Sequence, residues 1–202
     1  MSIELKICGI NSEDIIQTIL QNGGCQYLGF VFYPPSPRNL SIENSKKLTL
    51  LVPSNIKKVA VLVKPKKEFV NQIKDQFDYL QLYDVSPQET AELKFLSQKK
   101  IIQAIKIKSK EDINLYNQYV NIADEFLFDS SSMEKSSSFD WDYLRGIKIK
   151  RWFLAGGINI NNLEKAKNIT QKIDISSSLE DNPGKKSAKK ISDFLQKVKK
   201  IC

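Results

Sequence analysis

The sequence predicts an α/β fold, a single (β/α)8 TIM barrel over residues 1–202. Three observations support this. Short β-branched runs alternate with longer amphipathic Lys/Glu/Asn-rich segments along the whole chain. Eight such runs can be counted, and no linker or change of composition interrupts them. A doubly wound open sheet is the structural runner-up, but it would usually need fewer strands.

The strands are expected at 5–10 ("LKICGI"), 27–32, 57–63, 79–83, 100–107, 125–129, 151–157 and 172–178. Helical patterns lie between them. "SEDIIQTILQN" begins at Ser12, an N-cap residue type followed by acidic side chains that suit a helix N-terminus. "SIENSKKLTLL" (41–51) and "SAKKISDFLQKVKK" (187–200) read similarly. The single low-complexity patch, "DSSSMEKSSSFD" (129–140), falls where the loop after the sixth strand belongs.

Composition narrows the chemistry. With 41% apolar and 27% charged residues the chain has ordinary globular character. No apolar run approaches the roughly 18 residues that span a bilayer, so no membrane association and a cytoplasmic location are expected. The net charge of +8 comes from 31 basic residues, of which only Arg38, Arg145 and Arg151 are arginine. Lysines scattered this way read as solvated faces, and without arginine clusters or interleaved aromatics no nucleic-acid partner is expected. Cys8, Cys25 and Cys202 are too far apart in sequence for a metal motif. There is no histidine, which excludes Ser-His and Cys-His nucleophiles and the usual zinc sites. Proton transfer is left to Cys, Asp, Glu, Lys or Tyr.

In such barrels chemistry gathers at the C-terminal strand ends. Those ends carry Cys8 and Gly9, the loop "YPPSPR" to Arg38, Gln81 and Tyr83, Asp129, "AGG" (155–157) and "SSS" (176–178). Strand alternation puts Lys6 on the face of Cys8, and Asp174 on the face of Ser176 and Ser178. The first and last strands are neighbours in a closed barrel, so a Lys6–Asp174 pair inside it is expected, close enough to bias Cys8.

In order along the chain, "KICGI" (6–10), "LGFVFYPPSPR" (28–38), "QL" (81–82), "FDSS…FDW" (128–141), "FLAGGIN" (153–159) and "DISSSLEDNPGKK" (174–186) resemble the phosphoribosylanthranilate isomerase family of tryptophan biosynthesis. The resemblance implies an Amadori rearrangement of a phosphoribosyl small molecule, with no metal or organic cofactor. It assigns Cys8 as general base and Asp129 as general acid. Arg38 and Tyr83 become substrate-binding residues, Arg38 toward the anthranilate carboxylate, and Gly156, Gly157, Ser177 and Ser178 a phosphate cradle. A catalytic Cys8 is expected to have its pKa lowered by nearby positive charge, and Asp129 its pKa raised.

Three positions depart from the family pattern. "MEKS" (133–136) stands where a glycine-rich loop is usual, and Lys135 is a candidate to replace its lost N–H contacts. Ser178 stands for glycine, and Tyr83-Asp84 for His-Gly. Two alternatives stay open: a noncatalytic binding or scaffold barrel, and a barrel acting on another phosphosugar.

Overall fold

The computed structural model describes residues 3–130 and 139–201. Eight parallel strands close one barrel in sequence order: β1 (Glu4–Cys8), β2 (Tyr27–Phe32), β3 (Lys57–Val63), β4 (Tyr79–Tyr83), β5 (Lys100–Ile107), β6 (Glu125–Ser130), β7 (Trp152–Leu154) and β8 (Lys172–Ile175). β8 pairs back onto β1, with Lys6 opposite Asp174 in the register. A hairpin of β9 (Glu180–Asn182) and β10 (Lys185–Lys186) follows the last barrel strand.

Every strand splits its residues between two cores, as period-2 side-chain alternation demands. Outward-facing Leu5, Ile7, Leu28, Phe30, Leu80 and Phe128 join the layer under the helices. Inward-facing Tyr27, Val59, Tyr79, Ile102, Leu127 and Phe153 fill the barrel. Its lower end is closed by a polar plug. There Lys172 donates to Glu125 at 2.6 Å, Arg151 reaches the same carboxylate at 2.8 Å, and Tyr27 packs edge-on against Tyr79 and Phe153. This end is sealed, so any ligand must enter from the C-terminal mouth.

The outer layer holds six α-helices among the described residues: α1 (Glu13–Asn22), α2 (Ile42–Leu50), α3 (Lys67–Ile73), α4 (Pro87–Ser97), α5 (Leu163–Ile169) and α6 (Ala188–Ile201). The regular strand-helix alternation does not hold throughout. Lys110–Tyr119 and Trp141–Leu144, after β5 and β6, form tighter 3-10 helix. Asp112 accepts from the backbone of Lys108 and Ser109, and Asp140 from that of Asp142, local bonds that favour turns over a long helix. β7 and β8 are also shorter than expected, because "AGG" and "SSS" leave the sheet to form mouth loops. Ser41 caps α2 by accepting from the Asn44 amide at 3.1 Å, whereas Ser12 occupies the cap position of α1 without a side-chain bond. No helix of the described residues is long and apolar enough to cross a membrane.

Candidate active site

The strand ends converge on a cavity of about 750 Å³ at the mouth, lined by Cys8, Arg38, Tyr83, Asp129, Gly156, Gly157 and Ser177, among others. The thiol and the carboxyl come from β1 and β6 and so face one another from different sides of one barrel.

Lys6 lies one inward step below Cys8, is 0% exposed, and donates to Asp174 Oδ1 at 2.9 Å. Asp174 holds the ammonium above its ordinary pKa against the opposing effect of burial, and Cys8 adds to that. The expected pair is therefore present. Gly29 on β2 makes room for it: a Cβ there would lie 2.9 Å from Cys8 Sγ and 3.1 Å from Lys6 Nζ. The two atoms are thus no farther apart than those distances together, about 6 Å.

The expected lowering of the Cys8 pKa is not found. Burial pushes the thiol above its ordinary value of 9.0; Lys6, Lys186 and Arg38 pull it down, but Asp174 opposes them. A cation already neutralised by a buried carboxylate has little field left for a neighbour. Cys25 lies behind the sheet, bonded to the Tyr27 carbonyl, and burial drives it to about 12. It is a packing residue.

The expected rise of the Asp129 pKa is found. Burial, reinforced by the charge of Asp174, raises its carboxyl to about 6. Two donors partly offset this: Tyr83 O–H to Oδ2 at 2.9 Å and the Ser130 amide to Oδ1 at 2.8 Å. Tyr83 also accepts from Gln81 Nε2 at 3.1 Å, and Gln81 Oε1 is buried without a partner among the described residues.

Arg38 reaches the mouth by crossing Gly9, whose φ of +80° and missing Cβ admit the side chain; a Cβ would stand 2.5 Å from Arg38 Cδ. One edge of its guanidinium is already engaged, by a residue the sequence reading missed. Nε and Nη2 donate to the two oxygens of Glu180 at 2.6 and 2.7 Å. Glu180 also accepts from Lys186 at 2.7 Å and from the Gly184 amide at 3.1 Å. Burial alone would raise the Glu180 pKa, but these cations hold it below 4.5. Lys186 is itself held below its ordinary pKa by burial. Of the five guanidinium N–H groups, those on the Nη1 side are left for an incoming carboxylate.

Gly156 and Gly157 turn at φ of +81° and +73° and line the cavity. Ser177 lines it too, but Ser178 turns away: its hydroxyl donates to the Ile158 carbonyl at 2.6 Å and ties the loops after β7 and β8 together. These serines do not begin a helix; Ser177–Leu179 is one 3-10 turn leading into the hairpin. Lys135 lies outside the described residues.

A closed barrel with an opposed thiol and raised-pKa carboxyl at its mouth defines the class, a (β/α)8 enzyme of the acid–base type. Comparison with known proteins identifies the family within that class. The model for N-(5'-phosphoribosyl)anthranilate (PRA) isomerase matches residues 5–197. N-(5'-phosphoribosyl)anthranilate isomerase of Rhodopseudomonas palustris (strain TIE-1) is 32% identical over 97% of this chain and 98% of its own. That of Parvibaculum lavamentivorans is 32% identical over 99% and 100%. The phosphoribosyl anthranilate isomerase structure from Thermotoga maritima superposes with a TM-score of 0.89 at 24% identity, over 98% of this chain and 99% of the other. Another solved phosphoribosyl anthranilate isomerase, in complex with reduced 1-(o-carboxyphenylamino)-1-deoxyribulose 5-phosphate, gives 0.86 at 24% identity, with 98% and 99% covered. The chain belongs to the N-(5'-phosphoribosyl)anthranilate isomerase family.

Proposed function

We propose that this chain, in the cytoplasm, converts N-(5'-phosphoribosyl)anthranilate into 1-(2-carboxyphenylamino)-1-deoxyribulose 5-phosphate in tryptophan biosynthesis, with Asp129 as acid and Cys8 as base. The observation that carries the reading is that these two side chains share one cavity while their surroundings keep Asp129 able to hold a proton near neutrality.

The Asp129 proton passes to the ribose ring oxygen as the C1–O bond breaks, and the anilino nitrogen lone pair forms the C1=N iminium. Cys8 thiolate then removes the C2 proton. The C–H electrons form C1=C2, and the iminium π electrons return to nitrogen. In the resulting enolamine C1 gains a proton and the C2 hydroxyl loses one, giving the ketone with no external oxidant or reductant. The remaining N–H groups of Arg38 hold the anthranilate carboxylate, beside Tyr83. Backbone N–H groups of Gly156, Gly157 and Ser177 cradle the phosphate, with Ser178 fixing the loop that carries them.

The substrate is fluorescent through its anthranilate ring, so turnover is read directly. Cys8→Ala and Asp129→Asn should each cost at least about 100-fold in kcat/KM. Full turnover in either variant removes that residue from the chemistry. No turnover by the unaltered chain returns the noncatalytic barrel.

A further inference from the structure

Gln81 and Tyr83 are successive inward residues of β4, and their polar ends meet Asp129 across β5, on β6. The amide Nε2 donates to the phenol oxygen at 3.1 Å and the phenol donates to Asp129 Oδ2 at 2.9 Å. Behind them sits the buried Gln81 Oε1, which has no partner among the described residues. A buried acceptor left empty is costly and calls for a reason.

We propose that Gln81, Tyr83 and Asp129 form a reversible hydrogen-bond chain that holds the acid in both of its protonation states, with Tyr83 as its positioning residue. When Asp129 is ionised, protons point along the chain toward the carboxylate, as the present geometry has them. When Asp129 gains its proton, the carboxyl O–H donates to the phenol oxygen. The phenol O–H must then point elsewhere. A half-turn of the Gln81 amide brings Oε1 to the position of Nε2, within reach of that O–H. Amide nitrogen and oxygen occupy nearly the same space, so the exchange needs no movement of the backbone. The unpartnered oxygen is thus the acceptor for the protonated state, in which the amide N–H groups take its former place without a partner among the described residues. The chain holds the carboxyl from the side in the resting site; for transfer, the O–H leaves the phenol and turns to the ribose ring oxygen once substrate is bound.

The phenol bonds the anion more strongly than the acid, because a hydrogen bond to a charged acceptor is roughly twice as strong. Tyr83 therefore opposes the upward pull on Asp129, in line with the direction of its effect there. The other charges acting on Asp129 are Asp174 on β8 and Lys6 on β1, while Asp174 and Cys8 also act on Tyr83. Lys106, its register partner on β5, is engaged elsewhere, with Asp84 at 2.6 Å.

The chain calls Asp129 an acid only through the proposed isomerisation, but the test needs no turnover. The Asp129 carboxyl carbon and the Gln81 side-chain amide are followed by NMR against pH in the full chain without substrate. In the unaltered protein the Gln81 amide should shift with the same midpoint as Asp129. In Tyr83→Phe the Asp129 midpoint should rise by about one unit, a tenfold change in proton affinity, and the Gln81 amide should stop following it. An unmoved or lowered Asp129 midpoint in Tyr83→Phe overturns the positioning role. A Gln81 amide that ignores Asp129 in the unaltered protein overturns the reversible chain. The thermal melting curve of Tyr83→Phe confirms that the comparison is between folded proteins.

Discussion

Replacing Asp174 with Asn tests the electrostatics of the mouth most directly. The change keeps size and an oxygen that can accept from Lys6, and removes one buried negative charge. That charge opposes ionisation of both Cys8 and Asp129, since it pushes each upward. The Asp174 oxygen is 2.9 Å from Lys6 Nζ, which is within about 6 Å of Cys8 Sγ, so anion and sulfur are at most about 9 Å apart. At that greatest separation, with an effective dielectric of about 20, the repulsion is about 1.8 kcal/mol, or about 1.4 pKa units, and a shorter separation makes it larger. Asp174→Asn should therefore lower the Cys8 midpoint by about that much or more, the thiolate becoming the counter-ion of Lys6.

Two assays read this. The rate of alkylation of Cys8 against pH, followed on the Cys8 peptide by mass spectrometry, gives the thiolate midpoint without interference from Cys25. The pH profile of kcat/KM gives both edges together. With the base above 9.0 and the acid at about 6, activity should climb as the thiolate forms, level off near pH 6 as Asp129 starts to ionise, and fall only when Cys8 is fully ionised. On that plateau each gain in thiolate is matched by a loss of protonated Asp129. Removing Asp174 should carry both edges to lower pH. A Cys8 midpoint that stays put or rises in Asp174→Asn refutes the reasoning, because Asp174 would then not be what withholds the field of Lys6 from the thiol.

Arg38→Lys cannot both satisfy the two oxygens of Glu180 and present a second edge, so KM for the carboxylate substrate should rise about 10- to 100-fold, with kcat changing less; an unchanged KM removes Arg38 from substrate binding. Gly29→Ala places a methyl 2.9 Å from Cys8 Sγ and 3.1 Å from its Cα, so melting should report a loss of about 1–3 kcal/mol and turnover should drop; wild-type values for both would mean that β2 does not set the position of the thiol. Glu180 has its folded pKa depressed, so the stability it lends is complete above pH 4.5 and is lost as pH falls through the depressed value. Exchange of the Gly184 amide, corrected for its intrinsic rate, should therefore quicken as pH drops below 4.5, and protection that persists unchanged would show the hairpin to be held by other contacts.

Legibility in the sequence follows how local each determinant is. The eight strands were readable because alternation is written in each segment, and closure of the barrel then makes β1 and β8 neighbours. That is why the Lys6–Asp174 pair could be expected across 168 residues. The two 3-10 connections were not readable as such, since polar side chains that bond their own backbone share the composition of a solvated helix. Glu180 escaped notice because its partner Arg38 lies 142 residues away, joined by a hairpin whose course no local pattern gives.

The direction of the Cys8 shift shows where the sequence reading stops. Counting cations near the thiol gives the wrong sign, because burial, the largest effect, and the carboxylate that neutralises Lys6 outweigh the pull of Lys6, Lys186 and Arg38. Their balance depends on ångström-scale placement, and Gly29 controls part of that placement without contributing a charge. Burial and the Asp174 charge push both the Cys8 thiol and the Asp129 carboxyl upward, favouring the protonated form of each. Cys8 is thereby favoured as thiol. One charge, that of Asp174, acts in the same direction on both groups.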